Sequence, residues 1–178
     1  MKYSFILFIL FVSFSLQAQK VYLVDSKASF DIAVNDAVAG DTIQFKNSTT
    51  PYTDLSLKIK KTGTKTAPIV FKAQTNGGVS FTGNTQIEIG GSYIVVEGFN
   101  FISGTYPDNL IGKSGIVFRS GTSSSDWASN CTVKNITFDG FNQSSAQEKN
   151  VLKWIQVYGY DNEIAIVLFS IKKELEIA

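Results

Sequence analysis

The sequence predicts an all-β fold, a right-handed parallel β-helix (solenoid) with one cap helix at its amino-terminal end. From residue 21 onward the chain consists of short stretches with alternating apolar positions, separated by Gly, Asn, Ser and Thr, which is typical of strands and turns. Five isoleucines in these stretches are separated by 26, 25, 22 and 39 residues: Ile43, Ile69, Ile94, Ile116 and Ile155. Intervals of about 20 to 50 residues are typical of stacked repeats. We therefore expect the five side chains to stack in the interior.

An internal repeat supports the same fold. Residues 96–101 (VEGFNF) align with residues 133–138 (VKNITF). The alignment places Gly98 beside Asn135, and both residue types adopt the left-handed backbone conformation that a sharp corner requires. The alternative is an antiparallel sandwich, in which strands recur every 8 to 12 residues or so.

The composition limits the possible functions. The chain has 178 residues, enough for one domain, and its 16 basic and 15 acidic residues leave a net charge of +1, which predicts no nucleic-acid partner. Without histidine it has no His general base, no Ser-His-Asp triad and no His-ligated metal. Its single cysteine, Cys131, excludes an intrachain disulfide and is expected to be a half-buried strand residue.

The amino terminus has the features of a secretory signal peptide. Lys2 precedes an apolar run over residues 5–16, which is too short to span a bilayer and ends near the small residue Ala18. We expect residues 1–18 to be the signal peptide and residues 19–178 to form the β-helix coils. The mature chain is then formally neutral, has no membrane span, and is secreted or periplasmic.

One helix is expected before the strands. Apolar residues at helical spacing within residues 26–38 form a single face made of Phe30, Ala33, Val34, Ala37 and Val38. Gly40 is expected to provide a left-handed carboxyl-terminal cap. The strands are predicted at residues 42–45, 55–60, 69–72, 79–81, 87–89, 93–96, 115–118, 132–134, 136–138 and 154–157.

Some polar and aromatic residues are candidates for binding, each with a structural alternative. The lysines at positions 58, 60, 61 and 65 suit an acidic polysaccharide, but Leu57 and Ile59 alternate with the first two, which favours a strand with one solvated face. The spacing of four aspartates does not match that of a calcium-binding loop; they are Asp25, Asp31, Asp36 and Asp41. Tyr106 and Trp127 are candidates for stacking on sugars or for packing on the coil.

Longer sequence stretches carry a resemblance to a known family. They are AGDTI at 39–43, APIVFKA at 67–73, VSFTG at 79–83, IGGSYIVVEGFNF at 89–101 and KWIQVYG at 153–159. In this order they resemble the amino-terminal part of the chondroitinase-B and alginate-lyase family, polysaccharide lyase family six. The stretch at 89–101 is the most specific, since many β-helix proteins contain a phrase like AGDTI.

The resemblance implies calcium-assisted β-elimination on an acidic, uronic-acid polysaccharide. In the family, calcium neutralises the uronate carboxylate, a lysine removes the C5 proton and an arginine assists the leaving oxygen. These residues lie on later coils than those matched here, so we assign no catalytic, cofactor-binding or metal-binding residue in this chain and leave the substrate-binding residues open.

The carboxyl-terminal stretch departs from the family pattern. Val167, Phe169 and Lys172 have the spacing of the family's next strand, and Lys172 is interpreted as a solvated turn residue. The apolar end has no cap of the kind that solenoids use, which predicts a truncated gene, a frameshift or a partial chain.

Three functions remain open: the amino-terminal portion of a polysaccharide lyase, inactive by itself; a non-catalytic glycan-binding or adhesin-type β-helix; and another β-helix carbohydrate enzyme such as a pectate lyase or glycoside hydrolase. Arg119 is the only arginine, and neither the polysaccharide nor the oligomeric state is predicted.

Overall fold

The chain consists mostly of short β-strands in parallel sheets. A computed structural model describes residues 18–102, 105–106, 115–119, 127–140, 142–143, 155–157 and 164–173. All strand pairs in this part of the chain run parallel, and an isolated bridge between Arg119 and Trp127 is antiparallel. The antiparallel sandwich is therefore wrong for the described residues.

The elements follow one another as short segments. In chain order the first are β1 (Val21–Val24), α1 (Lys27–Asp36), β2 (Thr42–Phe45), β3 (Tyr52–Thr53), β4 (Ser56–Lys60), β5 (Ile69–Ala73), β6 (Val79–Thr82) and β7 (Gln86–Ser92). They are followed by β8 (Ile94–Glu97), β9 (Phe99–Ile102), β10 (Thr105–Tyr106), β11 (Ile116–Phe118), β12 (Ala128–Ser129), β13 (Cys131–Asp139), β14 (Asn142–Gln143), β15 (Ile155–Val157) and β16 (Ile164–Lys173). β3, β10, β12 and β14 were not predicted, because two-residue strands show no alternation. β1 and β9 were also not among the predicted strands.

Three rows of parallel strands result. The first row is β1, β2, β5, β8 and the first half of β13, and the second is β3, β6, β9 and the second half of β13. The third row is β4, β7, β11 and β15. From β2 to β9, successive strands belong to the first, second and third rows in turn. β13 is long enough to serve two rows, and β16 pairs along its whole length.

The internal repeat found in the sequence is confirmed as a pairing of neighbouring strands. Val133 lies opposite Val96, and Phe138 lies opposite Phe101. Asn135 has a φ of 55° and Gly98 a φ of 82°, as expected for a corner. The Gly98 N–H donates to the carbonyl of Lys134, 3.2 Å away, so the two corners are hydrogen-bonded to each other.

The prediction of one stack of five isoleucines is wrong. Ile69 does lie opposite Ile94, but Ile43 lies opposite Phe71. Ile116 lies opposite Ile155 in a different row, the third. Backbone hydrogen bonds set the register here, since Val70 N–H donates to the Asp41 carbonyl. Different apolar residue types fill the same interior position equally well. A recurring isoleucine therefore does not show which side chains stack.

The helix forms where it was predicted but is shorter. The Ser26 side chain accepts the Ser29 N–H and the Ser29 side chain accepts the Ser26 N–H, which forms a capping box. The helix ends before Ala37, whose backbone is extended, because the Asp41 carboxylate accepts the next N–H, that of Val38. Val38 is therefore exposed rather than part of the apolar face. No described helix is long and apolar enough to cross a membrane.

Gly40 has a φ of 94°, so its left-handed conformation is confirmed, but it does not cap the helix. It lies in the turn that leads into β2, after the extended residue that ends α1.

Phenylalanines dominate the interior between the rows. Phe30 of α1 contacts two of them, with ring centroids 6.1 Å from Phe45 and 5.3 Å from Phe71. Their neighbours in the same buried cluster are Phe81, Phe99, Phe101 and Phe138. The helix therefore packs on the first strands of the rows. Side chains that point outward from the rows are the ones available to contact a ligand.

Candidate functional site

The outward face of β4 carries two of the predicted candidate residues. Lys58 and Lys60 are exposed, while Leu57 and Ile59 between and beside them are fully buried. Successive side chains of a strand point to opposite faces, so both lysines extend from the same face. The predicted strand with one solvated face is confirmed.

The neighbouring strand β7 supplies one carboxylate to this face. Lys58 Nζ lies 3.2 Å from Glu88 Oε2, and the lysine side chain is 49% exposed. Lys60 lies in register with Gly90, which has no side chain.

The other two lysines follow β4 in the chain. Lys61 Nζ donates to the carbonyl of Asn35, 2.6 Å away in the last turn of α1, where a cation also suits the helix dipole. Lys65 is exposed in a turn closed by hydrogen bonds between Thr64 and Ala67. We call Lys58, Lys60, Lys61 and Lys65 the lysine surface.

A second charged line runs across the first row. Lys72 and Lys134 lie in register on either side of Glu97. Lys134 Nζ is 3.1 Å from Glu97 Oε2, and the Asn135 amide donates to Glu97 Oε1 at 3.2 Å. This line was not among the candidates predicted from the sequence, although the aligned repeat placed Glu97 beside Lys134.

Three of the four aspartates around α1 have polar side-chain partners. Asp31 is paired with Lys27, Asp36 accepts from the Asn35 amide at 3.3 Å, and Asp25 is 2.8 Å from Lys46 Nζ. The hydrogen bond and the attraction to the ammonium lower the pKa of Asp25, and the same contact raises the pKa of Lys46. These aspartates are used for local structure.

Asp41 is the buried member of the four. It is only 3% exposed, and its carboxylate accepts the backbone N–H of Lys20 at 2.9 Å and that of Val38 at 3.0 Å. Two charge-assisted hydrogen bonds compensate its burial. It therefore joins the start of the described chain to the end of the helix.

The described residues do not fit the calcium site that the family resemblance implies. No three Asp, Glu or Cys side chains in the described part of the chain lie close enough to share an ion. Calcium prefers six to eight oxygen ligands, several of them from carboxylates. No calcium site can therefore be assigned to these residues.

The aromatic and carboxyl-terminal candidates are placed only in part. Trp127 is partly buried and its backbone bridges to Arg119. Tyr106 lies in β10 and Lys172 in β16, and both side chains lie outside what the structure describes. Because Lys172 is a strand residue, its interpretation as a turn lysine is wrong. Residues 1–17, most of the expected signal peptide, also lie outside the described residues.

Cys131 is a structural residue of the interior. It is 1% exposed, more deeply buried than expected, and its Sγ lies 3.3 Å from the Ser129 carbonyl. Burial raises the pKa of the thiol, which disfavours the reactive thiolate.

A family model of chondroitinase B matches residues 24–176. The match begins at Val24, the last residue of β1, and spans the helix and all the strands from β2 to β16. No curated protein sequence matches the chain.

Several solved structures are similar to the chain. The PL6 family alginate lyase AlyGC is 27% identical with a TM-score of 0.67, over 81% of this chain and 18% of that one. A PL6 family polysaccharide lyase from Pseudopedobacter saltans is 26% identical with a TM-score of 0.61, over 75% of this chain and 27% of that one.

A third structure supports the fold alone. It is a mannuronic acid specific polysaccharide family 6 lyase from human gut microbiota, 21% identical with a TM-score of 0.65, over 82% of this chain and 33% of that one. The chain thus spans 18% to 33% of the length of these three similar chains.

Proposed function

Because the chain belongs to the chondroitinase B family, we propose that it forms the amino-terminal coils of a lyase that cleaves uronic-acid polysaccharides, of the alginate or chondroitin type, by β-elimination. The observation that carries the proposal is the family match over residues 24–176, which coincides with the rows of parallel strands. An acidic polysaccharide is the substrate class that goes with this family.

The same proposal interprets the fold. The three rows are the faces of successive coils of a right-handed β-helix, and α1 is the cap of its first coil. The in-register pairing of β2, β5, β8 and β13 supports the coils. The packing of Phe30 on Phe45 and Phe71 supports the cap.

The reaction sets requirements that can be compared with the described residues. A base must remove the proton at C5 of the uronate while the glycosidic oxygen leaves, and a positive group must stabilise the charge that develops on the carboxylate. Lys58 Nζ lies 3.2 Å from Glu88 and Lys134 Nζ lies 3.1 Å from Glu97, so both ammonium groups already have a carboxylate partner. We therefore place the eliminating residues outside the described part and propose that the 178-residue chain is inactive by itself.

The test is absorbance in the ultraviolet band of an unsaturated uronate. The purified chain is offered alginate and chondroitin-type polymers separately, in buffer with calcium and in buffer with a chelator. We expect no turnover by the 178-residue chain, and calcium-dependent turnover by a version extended to the length of the similar lyases. Turnover by the chain alone would show that the eliminating residues lie within it.

Export through residues 1–18 is part of the proposal. Mass spectrometry of the protein recovered from periplasm or medium should find Gln19, or its cyclised form, at the amino terminus. Recovery of a chain that retains Met1 would contradict cleavage.

A second candidate is a non-catalytic glycan-binding β-helix. The two exposed lysines on one face of β4, Lys58 and Lys60, favour it. Binding of acidic polysaccharide without turnover by the extended version would support this candidate over the lyase.

A further inference from the structure

One tyrosine has a backbone conformation that tyrosine rarely adopts. Tyr93 lies in the corner between β7 and β8, and its φ is 56°. The other described residues with positive φ are glycines, asparagines and one aspartate, types that reach this conformation at lower cost. Tyr93 therefore carries backbone strain that an asparagine in its place would relieve in part.

The shape of the corner does not require an aromatic residue. Ser129 lies opposite Ser92, and the Tyr93 N–H donates to the Ser129 carbonyl, 3.2 Å away. Asn130 therefore occupies the same corner one strand further on, where β12 passes into β13. Its backbone conformation is nearly the same, with a φ of 52°. Asparagine thus forms this corner at position 130 without an aromatic side chain.

The interior does not require the aromatic ring either. Ile94, the next residue, is fully buried in the core, whereas Tyr93 is only partly buried and is not among the side chains that pack against the buried cluster. The Tyr93 hydroxyl has no hydrogen-bond partner in the described part of the chain. Strained residues concentrate at binding and active sites. The ring of Tyr93 is therefore available to a ligand.

An amide group lies next to Tyr93 along the corner. Asn130 is partly exposed, and its side chain has no hydrogen-bond partner among the residues that the structure describes. The two residues follow neighbouring paired strands, which are about 4.8 Å apart. One pyranose ring is wide enough to contact both side chains.

An exposed turn lies on the other side of Tyr93. The Ile69 N–H donates to the Tyr93 carbonyl at 3.0 Å, and a Cβ on Gly63 would lie 2.7 Å from the same oxygen, so the turn at residues 64–67 begins and ends beside this carbonyl. The turn carries Lys65, a member of the lysine surface, which is exposed and has no ion-pair partner in the described ranges. It adds a positive charge near the tyrosine.

These three groups match one class of ligand. The C–H groups on one face of a pyranose ring pack on an aromatic ring, an amide donates to and accepts from sugar hydroxyls, and an ammonium group attracts a carboxylate or sulfate. We infer that Tyr93, Asn130 and Lys65 form a binding subsite for one sugar of an acidic polysaccharide, which stacks on the Tyr93 ring. The inference rests on the proposed function for the class of polymer, but it concerns binding and not turnover.

The test compares stability with binding in the full chain. Binding to alginate, chondroitin sulfate and uncharged dextran is measured at low salt, and thermal unfolding is followed by circular dichroism. Y93N should raise the unfolding midpoint by about 2 °C or more, because strain is relieved, yet bind the acidic polymers about fivefold more weakly. A purely structural tyrosine would instead lower the midpoint when it is replaced. Y93F keeps the ring and should bind like the wild type.

Variants of the neighbours test the rest of the subsite. N130G removes the amide from a left-handed corner and should bind about threefold more weakly. The matched control N135G makes the same change at the left-handed corner between the first and second rows and should bind like the wild type. K65Q should bind the acidic polymers about twofold more weakly at low salt and like the wild type at high salt.

The outcomes separate this inference from the proposed function. A lower unfolding midpoint in Y93N, unchanged binding in Y93N or K65Q, weaker binding in Y93F, or equal losses in N130G and N135G would each overturn the subsite. So would a wild-type chain that binds dextran as tightly as the acidic polymers, or that binds none of them. Failure of the extended protein to cleave any polymer would overturn the lyase, while a selective loss in Y93N would still support the subsite.

Discussion

Phe138 stacks on Phe101 with the ring centroids 4.8 Å apart and the ring planes inclined by 14°. The two residues end the two copies of the internal repeat and lie opposite each other in neighbouring strands. The two copies of the sequence repeat are thus stacked on each other in the structure, and the corners at Gly98 and Asn135 keep them in register.

Replacement of Ile94 by aspartate should prevent stable folding. Ile94 is fully buried, so an unpaired carboxylate there costs more than about 4 kcal/mol of unfolding free energy. The control is V95D, because the next residue points outward and is only partly buried. Urea unfolding followed by circular dichroism measures both variants, and equal losses would contradict the assignment of faces.

Gly91 should not tolerate alanine. Its φ is 117°, and an added Cβ would lie 2.0 Å from the Lys61 carbonyl oxygen, which belongs to the backbone and has little room to move. We expect G91A to lose about 3 kcal/mol or more of unfolding free energy. Gly77 is the matched position, since its φ is 75° but the nearest atom is a side-chain atom of Asn100 at 3.5 Å.

G77A should therefore lose only the strain of the left-handed conformation, about 1 to 2 kcal/mol. Thermal and urea unfolding of the two variants give the difference. A loss in G77A as large as that in G91A would show that the close approach of the Lys61 carbonyl is unimportant.

The Cys131 thiol should be unreactive in the folded chain. It is buried, and burial raises its pKa, so both access and thiolate formation are disfavoured. A thiol reagent should label it at least about a hundredfold more slowly than in urea, as expected for a group that reacts only after opening. The control carries A28C with C131A, because Ala28 is exposed on α1, and fast labelling of native Cys131 comparable to this control would contradict its burial.

The pair of Asp25 and Lys46 should give a weak pH dependence at both extremes. The pKa of Asp25 is lowered on folding, so its contribution to stability is present above the unfolded value of about 3.9 and is lost as pH falls through the lower folded value. The pKa of Lys46 is raised, so its contribution is present below the unfolded value of about 10.4 and is lost as pH rises through the higher folded value.

Carbon-detected NMR titration of the Asp25 carboxyl tests the pair directly. In K46Q its pKa should rise toward the ordinary value, and in K65Q, which removes a lysine from a distant turn, it should not change. An unchanged Asp25 pKa in K46Q would show that the contact is not maintained in solution.

The sequence by itself determined most of the longer strands, the helix, the alternation of Lys58 and Lys60 with buried residues, and the family. Alternation and helical spacing are local properties, which one segment carries without its neighbours, and the family resemblance uses long ordered stretches. The same local signals did not determine which isoleucines meet, because any apolar side chain of suitable size satisfies an interior position.

Only the tertiary structure decided the register and the partners across the rows. It placed Ile43 opposite Phe71, set Glu88 beside Lys58 and Gly90 beside Lys60, and enclosed Asp41 with two backbone N–H donors. These relationships join residues that are far apart in the chain, and they depend on backbone hydrogen bonds and chain direction, which leave no pattern in a single segment. The ion pair of Lys58 depends on them, because its partner Glu88 comes from the neighbouring strand.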